Sequence, residues 1–390
     1  DAGGGESEIR RYLMEYDMVE SIIALPTDLF YNTGIATYVW IVTNRKKPED
    51  QSRVKLINAS DRSSSMRKSL GSKRKEIADA DIATIVNLYL GNEIDDTVQV
   101  FHPDQFGYRK ITVERPLRLD VDLNESEPGR FRNTSDLDEY FLWFDATYGE
   151  KGIDQLKALK AEIEDYVSEK EGLTILEADE NTAAADLKAA TKRVKRVLKE
   201  LLNADAHRER QALIVVIRSL RDKGQTTWMD CNAFAESITT HAKAQGEKLT
   251  AARLKVIRAW VTEVNPDAER VIDKDVTAKQ NADERFGFFS LNGRVVTFER
   301  DSDLSDSERV PLGTDIVDYF EAEVLPHVSD AWINGDKQDA RDGQVGIVGY
   351  EINFNRYFYK YLPPRPLEVI DAELKSVEAE IAALLAEVAE

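Results

Sequence analysis

The stretch ESIIALPTDLFYNTGIATYVWIVTN, residues 20–44, decides how this chain folds. Residues 21–25 and 37–43 are apolar runs rich in Ile, Val, Tyr and Trp, which are too short for buried helices and typical of strands. We therefore predict two core strands. Pro26 ends the first strand because it lacks a backbone donor, and residues 32–34 (Asn-Thr-Gly) favour a turn before the second.

The loop between these predicted strands carries Phe30 and Tyr31 away from the sheet. Ligand sites of α/β sheets lie beyond the carboxyl ends of strands, so aromatic rings exposed in such a loop indicate a binding site. The residues alone leave a second interpretation open, in which the loop only joins two core strands and Phe30 covers the edge of the sheet.

Composition is that of an ordinary globular protein. The chain has 390 residues, of which 42% are hydrophobic and 32% charged, enough for two or three domains. No run approaches eighteen apolar residues and no signal peptide is visible, so the sequence does not support a membrane or secretory role. The one cysteine, Cys231, excludes an internal disulfide framework and favours a cytoplasmic location. Four scattered histidines predict no metal site: His102, His207, His241 and His327.

The net charge of −20 is unevenly distributed. Residues 1–119 hold 17 Lys/Arg and 18 Asp/Glu, whereas residues 120–390 hold 35 and 54. Such an acidic remainder would repel a nucleic acid. Basic clusters in the first part are candidate DNA-phosphate contacts, with solvated loops as the alternative. They comprise Lys46, Lys47, Arg67, Lys68, Lys73, Arg74 and Lys75.

Periodicity and turn residues predict the other elements. We expect helices over about 8–16, 79–90 and 316–325, a third strand over 54–59, β structure over 98–113, and a hairpin over 286–298 around Asn292-Gly293. Residues 120 to about 280 have helical apolar stripes, which we interpret as packed bundle helices without chemistry of their own. The aromatic segment 349–361 favours a core or a partner interface over base stacking.

The last segment has the spacing of a coiled-coil seam. Apolar residues recur at intervals of 3 and 4, and Pro366 lies where a helix can begin. The seam residues are Leu367, Ile370, Leu374, Val377, Ile381, Leu384 and Val388. A helix with such a stripe must bury it, either against a partner or against its own domain.

Three blocks of this sequence resemble the modification (methyltransferase) subunit of type I restriction-modification systems. They are ALPTDLFYNTGIATYVWIVTNRK, FGYRKITVERPLRL at 106–119, and GYEINFNRYFYKYLPPRPLEVIDAEL at 349–374. The resemblance implies an adenine-N6 DNA methyltransferase that uses S-adenosylmethionine and flips its target adenine out of the duplex. It also implies that Phe30 stacks on the adenine, that Tyr31, Asn32, Thr33 and Gly34 shape the rim, and that the C-terminal helix assembles with the specificity subunit, in a complex that also contains the restriction subunit.

The resemblance further implies that the cofactor-binding Gly-rich loop and the Asn-Pro-Pro-aromatic catalytic motif lie upstream of the first block. Neither motif occurs in these 390 residues. We therefore expect a C-terminal portion that carries no catalytic residue and is inactive alone. The alternative is a non-catalytic scaffold with a degenerate methyltransferase-like sheet.

The predicted fold class is α/β. It comprises the C-terminal part of a Rossmann-like methyltransferase sheet (1–119), a mainly α-helical region (120–283), a hairpin and helix (284–348), and an aromatic segment with a coiled-coil-type assembly helix (349–390).

Overall fold

A computed structural model describes residues 2–91, 94–173, 184–276, 281–359, 361 and 363–389, without the side chains of residues 184, 383 and 386–389. The chain forms two compact units. The first unit comprises residues 1–110, 309–316 and 338–390, and the second comprises residues 111–308 and 317–337.

The helices and strands alternate as in a mixed α/β protein. The helices are α1 Gly5–Glu15, α2 Asp79–Leu90, α3 Asp136–Ile153, α4 Leu156–Lys170, α5 Ala184–Leu201, α6 Ala204–Arg221, α7 Cys231–Ala244, α8 Ala251–Val261, α9 Ile316–Tyr319, α10 Phe354–Tyr357 and α11 Leu367–Ala389. The strands are β1 Val19–Leu25, β2 Thr37–Val42, β3 Val54–Asn58, β4 Ser64–Leu70, β5 Lys73–Glu76, β6 Val98–Phe101, β7 Gly107–Glu114, β8 Leu119–Asp122, β9 Thr227–Trp228, β10 Thr262–Val264, β11 Ile272–Val276, β12 Phe289–Leu291, β13 Arg294–Phe298, β14 Asp306–Pro311, β15 Trp332–Ile333 and β16 Ile347–Tyr350.

A four-stranded sheet with the order β2-β1-β3-β6 organises the first unit. Strands β1 and β3 run parallel, and β2 and β6 are antiparallel to their neighbours. Apolar side chains of β1 and β3, among them Ile22 and Leu56, form a core with Tyr350 and Phe354 of the aromatic segment. Phe354 also lies face to face with Phe358, at a centroid distance of 4.8 Å. The interpretation of these aromatic residues as core is therefore confirmed, whereas Tyr359 and Tyr361 are exposed.

Strand β2 corrects the prediction of two core strands. Strand β1 is buried along most of its length, but β2 lies at the edge of the described sheet and has only β1 as a neighbour there. Tyr38, Val39, Trp40 and Val42 are between 36% and 44% exposed. The apolar pattern predicted a strand correctly, but a pattern cannot tell whether a second layer covers it.

Two apolar cores of the second unit are built around helices. One is formed by helices α3, α4 and α5, and its buried residues include Ile163, Val167, Val194 and Val197, as the helical stripes predicted. The other joins α6, α7 and α8 to strand β8. Strands β12 and β13 form the expected hairpin around Asn292-Gly293, and β11 adds a third strand that the sequence did not reveal.

The division into units differs from the predicted boundaries. The boundary between the units falls between residues 110 and 111, inside strand β7, rather than at 119. Segments from far along the chain complete the first unit because β16 pairs with residues 107–110. Sequence periodicity reports local elements, whereas such long-range pairing depends on tertiary packing.

Candidate nucleic-acid interface

The loop between β1 and β2 is a tight reversal of the chain. Phe30 and Thr33 form an isolated antiparallel bridge, so Tyr31 and Asn32 lie at the tip. The backbone enters this reversal through Asp28, which has a left-handed conformation with φ of 61°. The short polar side chain of aspartate tolerates this conformation better than most residues do.

Three apolar side chains of the loop are at the surface. Phe30 is 47% exposed, Tyr31 65% and Ile35 68%. Gly34 lies against the carboxylate of Asp28, because a Cβ at this position would be only 2.7 Å from Asp28 Oδ1. The loop therefore offers aromatic surface for an interaction. Ile35, which extends this surface, was not among the predicted site residues.

A second hairpin, formed by β4 and β5, is hydrogen-bonded to the loop. From the sequence, these residues were predicted only as a basic segment, without strands. The main-chain N–H of Ser72 donates to the carbonyl oxygen of Tyr31 at 2.9 Å. Those of Arg74 and Lys75 donate to the carbonyl oxygen of Asp28 at 2.9 and 3.1 Å. Three backbone hydrogen bonds thus fix the aromatic loop on the basic hairpin.

The hairpin turn requires a glycine. Gly71 has φ of 62°, and a Cβ added there would lie 2.6 Å from the carbonyl oxygen of Tyr31. Any larger residue would therefore push the loop away or lose the left-handed turn. A glycine within a charged run is a turn signal that could have revealed this hairpin from the sequence.

The hairpin brings cations to the aromatic loop. Lys73 Nζ lies 5.8 Å from the centre of the Tyr31 ring, within the range of a cation–π contact. Arg67, Lys68 and Arg74 are exposed, and Lys73 and Lys75 are partly exposed. The structure thus brings together two groups that were predicted separately from the sequence, the aromatic loop and five of the seven candidate phosphate contacts.

Lys46 and Lys47 do not belong to this cluster. Lys46 Nζ donates to Asp17 Oδ1 at 2.5 Å and to the carbonyl oxygen of Arg53 at 2.7 Å, and its side chain is only 3% exposed. Because the ammonium group of Lys46 is buried and paired, its role is structural. Lys46 is therefore not available as a phosphate contact. Lys47 is exposed but lines a different cleft.

That cleft has a volume of about 350 Å³, and one of its lining residues caps the C-terminal end of helix α2. Lys47, Glu49 and Asp50 line it together with Lys55 and Tyr89. Lys55 Nζ donates to the carbonyl oxygens of Tyr89 and Gly91 at 2.8 and 2.7 Å, at the C-terminal end of α2. Burial lowers the pKa of Lys55. The ammonium group of Lys55 thus stabilises the contact between β3 and the C-terminal end of α2.

Helix α11 presents its predicted seam to solvent. Leu367 is 82% exposed, Leu374 and Leu384 57%, and Val377 and Ile381 51%. Ile370 is partly exposed, and the side chain of Val388 lies outside the described residues. The alternative in which the seam is buried against its own domain does not describe this structure.

The single cysteine is a buried residue. Cys231 is 1% exposed and burial raises the pKa of its thiol to about 11, so it is a core residue rather than a nucleophile. No group of His, Cys, Asp or Glu in the described part of the chain could hold a metal ion. None of the described helices is long and apolar enough to cross a membrane.

Comparison with known proteins finds a family model that is similar to the N-terminal part of the chain. Residues 1–106 match the family model of N-6 DNA methylases. The type I restriction enzyme MjaVII methylase subunit of Methanocaldococcus jannaschii is 41% identical over 58 residues, which are 15% of this chain and 10% of that protein. The MjaIX methylase subunit of the same organism is 26% identical over 113 residues, 28% of this chain and 19% of that protein.

A solved structure with similarity to this chain is the methyltransferase subunit of the type I restriction-modification system from Streptococcus thermophilus. It is 28% identical over 26% of this chain and 20% of that chain, with a TM-score of 0.23. The matched region spans less than a fifth of the length of each curated relative. The resemblance noted in the sequence is confirmed by the matches in sequence, and it concerns the segment that contains the aromatic loop and the basic hairpin.

Proposed function

We propose that this chain, whose residues 1–106 match the N-6 DNA methylases of type I restriction enzymes, is part of a cytoplasmic adenine-N6 DNA methyltransferase. In the proposal, β1, β2 and β3 are the C-terminal part of a Rossmann-like catalytic sheet, and the loop and basic hairpin bind DNA. The observation that carries the proposal is the attachment of exposed aromatic rings to a cationic hairpin by three backbone hydrogen bonds.

Base flipping explains why these two features belong together. An adenine taken out of the duplex loses its stacking, which costs a few kcal/mol, and an aromatic face in the enzyme must replace it. Phe30 is exposed at the surface and supplies such a face. Tyr31, Asn32, Thr33 and Gly34 form the rim. The hairpin cations Arg67, Lys68, Lys73, Arg74 and Lys75 contact the phosphates beside the flipped nucleotide.

The positive charges of the hairpin disfavour binding of the methyl donor beside the loop. S-adenosylmethionine supplies the methyl group as a sulfonium cation, and Lys73 and Lys75 beside the loop disfavour a second positive charge. These residues therefore fit the base and the backbone of DNA, and we assign none of them to the cofactor. No residue of this chain is proposed as the catalytic one.

Helix α11 is proposed as the assembly element. Its seam is apolar along one face and more than half exposed at Leu374, Val377 and Ile381. Apolar a/d residues favour burial against a second helix. The partner we propose is a helix of the specificity subunit, and the restriction subunit would join the complete enzyme.

The experiment is methyl transfer by the intact subunit carrying Phe30→Ala. Loss of stacking should weaken adenine binding by roughly 1–3 kcal/mol, so methylation should fall much more than binding of unmethylated duplex. Tyr359→Ala is the control, because Tyr359 is also an exposed ring, at 73%, but lies outside the loop. Normal methylation by Phe30→Ala would disprove the stacking role. An intact wild-type subunit without methyl transfer would favour the scaffold alternative.

A further inference from the structure

Helix α5 of the second unit has two faces of opposite character. Ala190, Val194, Val197 and Leu201 are between 0% and 5% exposed and belong to the core formed with α3 and α4. Their spacing of 4, 3 and 4 residues places them on one side of the helix. This side accounts for the packing of α5 against the core.

The opposite side is a continuous row of lysines. Lys188, Lys192, Lys195 and Lys199 have the same spacing of 4, 3 and 4 residues, and all four are exposed. At 100° per residue, they lie on the side of the helix directly away from the buried face. With a rise of 1.5 Å per residue, the row is about 16 Å long. We call these four residues the lysine stripe.

The charge of α5 contrasts with that of the surrounding chain. The helix has six Lys/Arg and two Asp/Glu, whereas residues 120–390 as a whole have 35 and 54. By the same helical geometry, Asp186 and Glu200 lie more than 90° around the helix from the centre of the stripe. Within the described residues, the only ion pair of the stripe is Lys199 with Glu200, at 3.8 Å and with Lys199 82% exposed. Like charges at i and i+4 destabilise a helix, so an anionic ligand would relieve this repulsion.

We propose that the lysine stripe binds the phosphate backbone of double-stranded DNA. This inference rests on the proposed function, which supplies DNA as the substrate, and it assigns a DNA contact to a region for which no role was predicted. A duplex carries one negative charge per 1.7 Å of its axis, so a straight row of cations can face several phosphates at once. The contact is independent of base sequence, because lysine ammonium groups that reach only phosphates read no base.

The test compares two double variants of the full chain in binding to a 30-base-pair duplex, followed by fluorescence anisotropy from 50 to 200 mM KCl. Lys192→Gln with Lys195→Gln removes two charges from the stripe. Lys157→Gln with Lys160→Gln is the matched control, since these exposed lysines are also three residues apart on a helix of the same unit. Glutamine keeps a helix propensity close to that of lysine, so both variants should fold.

The stripe variant should bind more weakly, by the same factor for any duplex sequence. Its slope of log affinity against log salt should become shallower by about 1.8, or about 0.9 for each lost phosphate contact. The control should keep the wild-type slope. Equal slopes in the two variants would overturn the proposal. Absence of salt-dependent duplex binding by the wild-type chain would overturn it as well. Either result is expected if the stripe binds an acidic protein instead of DNA. Methyl transfer by Phe30→Ala tests the proposed function separately, because Phe30 carries no charge and its loss leaves the salt slope unchanged.

Discussion

The main-chain N–H of Ser72 donates a hydrogen bond to the carbonyl oxygen of Tyr31 at 2.9 Å, and this contact couples a basic hairpin to an aromatic loop. The contact depends on Gly71, because no side chain separates the two backbones. The loop is thus positioned by residues about 40 places further along the chain. A change in the hairpin backbone should therefore alter both the conformation of the loop and the positions of the neighbouring cations.

Gly71→Ala should displace the loop in the intact enzyme. The new Cβ would meet the carbonyl oxygen of Tyr31 at 2.6 Å, in addition to the strain of a left-handed conformation. We expect a large loss of base flipping, measured by the fluorescence of 2-aminopurine at the target position, with duplex binding reduced less. Gly293→Ala is the matched control, because Gly293 is also in a two-residue hairpin turn with positive φ but has open space around it. An equal effect in both variants would contradict a positioning role.

The 390-residue chain alone should not bind S-adenosylmethionine or methylate DNA. The resemblance places the cofactor loop and the Asn-Pro-Pro-aromatic motif in sequence that these residues do not include, and the cations of the hairpin disfavour a sulfonium. Isothermal titration calorimetry of the chain with S-adenosylmethionine measures this directly. Detectable heat of specific binding would show that the donor site lies within these residues.

Replacing Leu374, Val377 and Ile381 with Asp should abolish association with the specificity subunit. Each apolar side chain buried against a partner contributes about 1.5–3 kcal/mol, so three losses exceed what an assembly tolerates. The chain itself should stay folded because these side chains are more than half exposed. Co-elution in size-exclusion chromatography measures association, and circular dichroism measures folding.

The control for the seam variant is a triple aspartate on the opposite face of α11. Ala372, Ser376 and Ala379 are exposed and lie away from the seam. This control should still co-elute with the specificity subunit. Equal loss in both variants would indicate that the helix, rather than its apolar seam, had been disrupted.

Asp339→Asn should destabilise the first unit at neutral pH. Asp339 is 3% exposed and accepts a 2.7 Å hydrogen bond from Arg11. Burial alone would raise the pKa of this carboxyl, but hydrogen bonds from Arg11 and from the main-chain N–H groups of Val348 and Arg341 hold the pKa well below its usual range. Loss of one partner of a buried ion pair costs about 3 kcal/mol.

The pH dependence of that variant follows from the lowered pKa. The contribution of Asp339 is complete above the ordinary pKa of 3.8 and is lost as the pH falls towards the lower pKa of the folded state. The difference in urea midpoint between wild type and Asp339→Asn should therefore be large at pH 7 and shrink below pH 4. Asp61→Asn is the control, because its side chain is 72% exposed. A difference that stays constant with pH would exclude this ionic role.

Sequence predicted the elements whose signals are local. The apolar spacing predicted a helix at 79–90, which is α2, and the Asn292-Gly293 turn predicted a hairpin at 286–298, whose paired strands in the structure begin at Phe289. Strands β4 and β5 were missed because charged residues replace the apolar alternation that predicts a strand. The site residues were predicted as two separate groups, since the hydrogen bonds that join them connect backbone atoms and leave no trace in residue type. Lys46 was misassigned because a charged residue carries no sequence mark of its ion-pair partner.

The exposed strand β2 has a consequence for the behaviour of this chain in solution. Its six residues, TYVWIV, contain no charge, no proline and no glycine, and lie at the edge of the described sheet. Natural edge strands commonly carry lysine, proline or a bulge that prevents pairing with another molecule, and β2 carries no lysine or proline. Such a segment is a template for intermolecular strand pairing. Unless another strand covers it, concentrated solutions of the chain should aggregate from this edge, and a single lysine at Val39 would act as a gatekeeper.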